Sequence, residues 1–107
     1  MRKRIYQFGF KFFSPSALGW NPVVDCRIMR NPFRQGIPED VLKADVRALP
    51  EFEGLVQYGM FHLNEVDVIY VGCLYGRHRS GAVAEEIAKR TGAVVQKIGD
   101  VAGLRSL

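Results

Sequence analysis

Hydrophobic and polar residues alternate along this chain with two periods, one typical of strands and the other typical of helices. Aromatic and β-branched residues dominate residues 4–10, 23–28 and 93–98, and this composition predicts a strand over each segment. Residues 67–72 form a nearly continuous apolar run, which is typical of a central strand buried on both faces. Four strands are therefore predicted.

Three helices are predicted between the later strands. Pro38, Glu39 and Asp40 form a helix start, since proline suits the first turn and acidic residues favour a helix N-terminus. A second helix begins at Pro50, and its apolar residues share one face: Phe52, Leu55, Val56, Met60 and Leu63. A third follows residue 80, with Val83 and Ile87 in its apolar stripe, and ends at Gly92.

This order of strands and helices predicts an α/β fold. We expect a small, mostly parallel sheet of about four strands with flanking helices, and a phosphate-binding loop between the third strand and the helix that follows it. The length of 107 residues predicts a single domain over residues 1–107. The strand order is left open.

Composition and cysteine usage narrow the class of protein. Hydrophobic residues make up 48% and charged residues 24%, as in a globular protein and unlike a disordered one. The longest apolar runs are far shorter than the roughly 18 residues of a membrane span, so no membrane partner is expected. Cys26 and Cys73 lie far apart with no metal-ligand spacing around them, which predicts no metal site and a reduced, cytoplasmic location.

Charge is distributed unevenly along the chain. Residues 1–34 hold seven basic residues and one acidic residue. Residues 35–70 hold two basic and seven acidic residues, and residues 71–107 hold six basic and three acidic residues. If the fold brings the two basic segments together, one side of the molecule attracts anions. RNA is then a candidate partner of residues 1–34, where aromatic residues lie among the bases: Tyr6, Phe8, Phe10, Phe12 and Phe13.

The strongest candidate for chemistry lies between the third strand and the third helix. It comprises Gly72, Cys73, Leu74, Tyr75, Gly76, Arg77, His78, Arg79 and Ser80. A strand, a glycine-containing turn and a helix N-terminus form an anion site, because backbone N–H groups converge there and the helix dipole adds positive charge. Arginine side chains add forked donors for phosphate oxygens. We therefore predict a partner that is a phosphorylated small molecule or a phosphate or sulfate ion, and no cofactor.

The same segment also fits the Cys-x5-Arg loop of cysteine-dependent phosphatases. In that interpretation Cys73 is the nucleophile and Arg79 binds the phosphate oxygens. Asp25 or Asp100 is the general acid, and His78 is a further candidate as the acid or as a donor to the substrate. Gly72 stands where protein tyrosine phosphatases have histidine, and neither aspartate lies in an acid-loop signature, so a binding module is the preferred hypothesis. A buried structural cysteine followed by a helix start with incidental arginines is the simplest alternative.

Further polar residues are expected at the rim of the candidate pocket. They lie at or after the ends of the first two predicted strands, and they are Lys11, Asp25, Arg27 and Asn31. Each lies near the carboxyl end of a predicted strand, where ligands of open α/β sheets bind.

The segment Gly72-Cys73-x-x-Gly76-Arg77-His78-Arg79-Ser80 resembles the C-terminal domain of the bacterial RapZ family of RNase adapter proteins. Three earlier segments also resemble this family and occur in the order that the family has. They are residues 8–11, Asp25-x-Arg27 and Asn31-Pro32, so the resemblance covers most of residues 5–98.

The resemblance implies an α/β domain that binds a phosphorylated amino sugar, glucosamine-6-phosphate. In the full family protein it also implies binding of small RNAs and their presentation to RNase E. We expect this chain to be a stand-alone domain without the family's nucleotide-binding half, with a pocket reshaped by Leu74 and Tyr75. Only Arg105 follows Lys97, so the family's basic C-terminal cluster is missing and RNA binding is less favoured. A homo-oligomer is compatible with the sequence.

Overall fold

The computed structural model describes residues 2–15 and 21–98. The elements in these ranges follow in the order β1 (Arg4–Gly9), β2 (Val23–Asp25), a 3₁₀ turn (Cys26–Ile28), α1 (Glu39–Arg47), α2 (Phe52–Leu63), β3 (Val68–Cys73), α3 (His78–Thr91) and β4 (Val94–Lys97). None of the helices in the described ranges is long and apolar enough to cross a membrane.

The four strands form one sheet in the order β2-β3-β1-β4, and all three strand pairs are parallel. Ile5 pairs with Ile69, and Asp25 pairs with Gly72, so β1, β3 and β2 end close together. The predicted α/β class with a small parallel sheet and flanking helices is confirmed. Because the strands are parallel, their carboxyl ends share one edge, and the segments that follow them meet there.

The alternation of side chains along the strands divides the core between the two faces of the sheet. On one face Ile5, Val24 and Ile69 join the buried residues of the three helices in one cluster. On the other face Phe8, Phe13 and Tyr70 form a second, aromatic cluster. β3 lies between β2 and β1 and its last five residues are buried, as expected for a central strand.

The second strand is shorter than the sequence predicts, since it ends at Asp25 and not at residue 28. The Asp25 carboxylate accepts a hydrogen bond from the Arg27 N–H at 3.0 Å, and the Met29 N–H donates to the Cys26 carbonyl at 3.2 Å. A short side chain that binds the backbone two residues ahead favours a turn over a strand. The chain therefore turns at Cys26–Ile28, toward the carboxyl edge of the sheet.

Candidate phosphate-binding site

The loop between β3 and α3 lies directly against the end of β1. The Phe10 N–H donates to the Cys73 carbonyl, and the Lys11 N–H donates to the Leu74 carbonyl, both at 2.9 Å. These two bonds continue the parallel pairing of β1 and β3 beyond the ends of the strands. They fix the start of the loop to a rigid part of the sheet.

A buried glutamine holds the other end of the loop. Gln7 is 7% exposed, and its Nε2 donates to the Gly76 carbonyl at 2.8 Å. Gly76 has a φ of +75°, a left-handed conformation that glycine adopts at little cost. The loop conformation is thus set by a polar side chain of β1 and by one glycine.

The N-terminus of α3 carries positive charge where helices favour negative charge. Arg77 precedes the first turn, and His78 and Arg79 are in it, with no acidic residue there. By contrast α1 begins with Glu39 and Asp40, which match its dipole. No side chain among the described residues caps α3, and none of the backbone hydrogen bonds of the described residues uses the N–H groups of residues 78–80 as donors. This helix start has free donors and excess positive charge.

A pocket of about 470 Å³ opens at this helix start. Its lining residues come from the segments after β1, β2 and β3, and they are Phe12, Asn31, Phe33, Cys73, Tyr75, Arg77, His78 and Arg79. The volume lies in the range of about 300–1,000 Å³ that is typical of small-molecule sites. Five of the nine residues that the sequence places on the loop line this pocket.

The two arginines of the site have different environments. Arg79 is 7% exposed, and its Nη1 donates to the Met29 carbonyl at 2.8 Å, which ties α3 to the turn after β2. That bond uses one of five guanidinium donors, so others remain for a ligand in the pocket. Arg77 is exposed and makes no ion pair among the described residues. One arginine is anchored and the other is free to move toward an anion.

Cys73, the last residue of β3, lines the pocket. Its Sγ donates to the Ser80 Oγ at 3.2 Å, and both residues are buried. This contact joins the cysteine and the serine of the Cys-x5-Arg-Ser segment. Cys26, the other cysteine, is fully buried, and desolvation raises the pKa of its thiol far above the usual value.

His78 presents an unpaired nitrogen in the pocket wall. Its Nδ1 is buried and has no hydrogen-bond partner, and its ring lies nearly parallel to that of Phe33, with centroids 5.9 Å apart. Burial lowers the pKa of His78, an effect that Arg77 reinforces and the Glu39 carboxylate opposes. The lowered pKa favours the neutral imidazole, and its buried Nδ1 has no hydrogen-bond partner among the described residues.

The predicted rim residues divide into one that reaches the pocket and three that do not. Asn31 lines the pocket, and its Oδ1 accepts the Phe33 N–H at 3.1 Å. Asp25 and Arg27 pair with each other at 2.7 Å. The Lys11 ammonium lies 5.0 Å from the centre of the Tyr75 ring. None of these three residues lines the cavity.

Of the two aspartates predicted as a general acid, Asp25 alone lies among the residues that the structure describes. Hydrogen bonds from Arg27 hold the pKa of Asp25 below its usual value, whereas a general acid at neutral pH needs a raised pKa. Asp100, the second candidate, lies outside the described residues.

Sequence reasoning missed three residues of the site: Gln7, Phe12 and Phe33. Gln7 could have been found from the sequence, because a polar residue between Tyr6 and Phe8 in a buried strand indicates a hydrogen-bonding role. Phe33 follows the Asn31-Pro32 turn, and its contact with His78 joins segments 45 residues apart. A contact of that kind leaves no local pattern.

The chain is similar over most of its length to part of a curated protein. The chain is 31% identical over 106 aligned residues to a curated protein of Cereibacter sphaeroides (strain ATCC 17025 / ATH 2.4.3) that is named a nucleotide-binding protein. The match covers 79% of this chain and 33% of the relative, so the chain spans about one third of the relative's length. No protein-family model matches the chain, and no solved structure gives a significant match. The chain is thus an α/β protein similar, over most of its length, to part of a nucleotide-binding protein.

Proposed function

We propose that this chain is a binding module for a phosphate-bearing small molecule, with the phosphate at the N-terminus of α3. The observation that carries the proposal is the positive charge of Arg77 and Arg79 at a helix start that already favours anions. Without a bound anion, the two positive side chains repel the positive end of the helix dipole. A bound anion is attracted by both and offsets this repulsion. In the bound state the N–H groups of residues 78–80 and the two guanidinium groups donate to the phosphate oxygens.

The ligand suggested by the family resemblance is a phosphorylated amino sugar such as glucosamine-6-phosphate. The pocket volume of about 470 Å³ leaves space for a sugar beside the phosphate. Asn31 and His78 line the pocket, and we propose that these two polar side chains contact the hydroxyl and amino groups of the sugar. The nucleotide-binding name of the relative supports the same general chemistry, because a nucleotide also carries phosphate.

Titration calorimetry with inorganic phosphate and with glucosamine-6-phosphate tests the proposal. Both ligands are expected to bind, and Arg77→Ala is expected to weaken both by about tenfold, since a hydrogen bond to a charged group contributes about 1.5–3 kcal/mol. Arg47→Ala, which removes an exposed arginine at the end of α1, is the matched control. Equal affinities for the wild type and Arg77→Ala, or no binding to the wild type, contradict the proposal.

A cysteine phosphatase is the second candidate, because Cys73, Arg79 and Ser80 lie together at the pocket as that reaction requires. A binding role is preferred because hydrogen bonds from Arg27 hold the pKa of Asp25, the candidate acid among the described residues, below its usual value. With p-nitrophenyl phosphate the wild type is expected to release no phosphate above background. Release that disappears in Cys73→Ser, which removes the thiolate nucleophile, supports the phosphatase and contradicts the binding module.

RNA binding through residues 1–34 is the third candidate. Three of the basic residues in this segment already form ion pairs with carboxylates. These pairs are Lys3–Asp67, Arg27–Asp25 and Arg34–Asp45. Phe8 and Phe13 are buried in the aromatic cluster and are not available to stack on bases. We propose that any RNA binding is weak and depends steeply on salt. Tight, salt-insensitive binding in a gel-shift series contradicts this.

A further inference from the structure

The two free cysteines follow matching positions on neighbouring strands. In the parallel pairing of β2 with β3, Asp25 lies beside Gly72. Cys26, the first residue of the 3₁₀ turn, and Cys73, the last residue of β3, come directly after this pair, and the turn packs against β3. Neighbouring strands lie about 4.8 Å apart, and the two Cα atoms of a disulfide lie about 4.4–6.8 Å apart, so the register allows a bond between the two thiols.

Both cysteine side chains lie on the same face of the sheet. Val24 and Val71, which are two residues earlier on each strand, pair with each other and belong to the hydrophobic cluster that includes the three helices. Cys26 and Cys73 belong to this cluster as well, as the alternation of side chains along a strand requires. Burial raises the pKa of the Cys26 thiol, and the nearby Cys73 thiol raises it further. Register, face and electrostatics therefore agree that the two thiols lie close together.

The two thiols differ in their access to small molecules. Cys73 lines the pocket, whereas Cys26 is fully buried and is not among the lining residues. A small oxidant that enters the pocket therefore reaches Cys73 first. Cys26 is then oxidised only through its neighbour.

We infer that Cys26 and Cys73 are a redox-active pair, which hydrogen peroxide converts to a disulfide through Cys73. In the first step the Cys73 sulfur attacks one peroxide oxygen and the O–O bond breaks. Cys73 becomes a sulfenic acid, and the other oxygen leaves as water with the thiol proton. In the second step the Cys26 sulfur displaces the hydroxyl group of the sulfenic acid, which leaves as water with the Cys26 proton. The two thiols lose two electrons and two protons in total, and the peroxide is reduced to two water molecules.

The disulfide would protect the cysteine that lines the pocket. A sulfenic acid without a neighbouring thiol reacts further with peroxide to a sulfinic acid, which thiol reductants do not reverse, whereas a disulfide is reduced back to two thiols. Closing the bond also ends the hydrogen bond that the Cys73 Sγ donates to the Ser80 Oγ. The reaction needs no phosphate ligand, so the inference goes beyond the proposed function.

Mass spectrometry of the peroxide-treated protein tests the inference. The reduced chain is treated with a small excess of hydrogen peroxide without denaturant, the remaining thiols are alkylated after unfolding, and the protein is digested. A peptide in which Cys26 is linked to Cys73 within one chain is expected. Both free thiols of the chain are expected to disappear, and dithiothreitol is expected to restore them.

Two variants separate the roles of the two cysteines. In Cys26→Ala, Cys73 is expected to proceed to the sulfinic acid, and dithiothreitol does not restore its thiol. In Cys73→Ala, the matched control, no thiol lines the pocket, and Cys26 is expected to stay reduced under the same treatment. Thermal unfolding shows that each variant is folded, and the linked peptide of the wild type is a result that depends on neither variant.

Several results would overturn the redox pair. They are a wild type that keeps both thiols, a Cys73 sulfinic acid beside a free Cys26 thiol, and a disulfide that joins two chains. Oxidation of Cys26 in Cys73→Ala at the wild-type rate also overturns it, because Cys26 would then react without its neighbour. Failure of the wild type to bind phosphate overturns the proposed function alone, since the linked peptide forms without a ligand.

Discussion

Gly76 in the loop lies directly against Gly9 at the end of β1. A Cβ on Gly76 would lie 2.5 Å from the Gly9 nitrogen, and a Cβ on Gly9 would lie 2.6 Å from the Tyr75 carbonyl carbon. Both distances are shorter than any real contact of a Cβ with backbone, so neither position accepts a side chain without a shift of the loop. The close approach of two glycines therefore sets the position of the loop relative to the sheet.

Gly9→Ala is expected to destabilise the protein by about 1–3 kcal/mol, as other insertions into packed positions do. The matched control is Gly54→Ala on α2, where nothing lies within 4 Å of the added Cβ. That variant is expected to gain about 0.5–1 kcal/mol, because alanine favours a helix over glycine. Urea unfolding measures both changes. Equal stabilities for the two variants would show that the loop moves freely away from β1.

Arg79→Lys is expected to weaken phosphate binding about tenfold. Lysine presents one ammonium group and cannot hold the Met29 carbonyl and also make a forked contact with phosphate. Arg47→Lys, at an exposed position, is expected to bind as the wild type does. Calorimetry gives the affinities, and thermal unfolding shows that each variant is folded. An Arg79→Lys protein that binds phosphate with wild-type affinity is incompatible with a guanidinium contact.

His78 is expected to make stability depend on pH. Burial lowers the pKa of His78 in the folded state below the value of 6.5 for an exposed histidine, so the unfolded chain binds the proton more tightly. The free energy of unfolding therefore falls as the pH is lowered from 6.5 through the folded-state pKa.

Urea unfolding at about pH 7.5 and about pH 5.5 measures this dependence. His78→Gln is expected to reduce the loss of stability at the lower pH, whereas His62→Gln, on α2, is expected to retain it. The same loss in the wild type and in His78→Gln would assign the dependence to other groups.

Alkylation is expected to distinguish the two cysteines. Cys26 is fully buried and its thiol pKa is raised, so it is expected to resist iodoacetamide until the protein unfolds. Cys73 is 3% exposed but lines the pocket, which gives a small reagent access to it. Inorganic phosphate is expected to slow the modification of Cys73. Mass spectrometry of the digested protein follows each site, and Cys26 reacting first would contradict the placement of the two thiols.

The local parts of the fold could be predicted from the sequence, because each leaves a pattern within a few residues. The apolar run of β3, the loop and the helix after it are contiguous, and Gly92 ends α3 with a φ of +79° as its position indicates. The prediction of a strand to residue 28 was wrong, because the Asp25 carboxylate accepts a hydrogen bond from the backbone N–H two residues ahead and the chain turns there. That bond competes with the strand and has no effect on hydrophobic periodicity.

The non-local parts of the site could not be predicted. The Gln7 amide reaches the Gly76 carbonyl only because β1 pairs with β3, and Phe33 reaches His78 only because β2 pairs with β3. Strand order decides which segments meet at the carboxyl edge, and the sequence left that order open. Of the predicted rim residues, Asn31 lines the pocket and Lys11 does not, and their part in ligand binding stays a prediction.

The position of bound phosphate is the central claim, and an amide chemical-shift titration with inorganic phosphate tests it most directly. Saturable shifts are expected for the backbone N–H groups of residues 76–80, at the glycine turn and the first turn of α3, where free donors meet the positive charge. The N–H groups at the start of α1, where Glu39 and Asp40 repel an anion, are expected not to shift. Shifts confined to other parts of the chain, or no saturable shift at residues 76–80, would contradict the account.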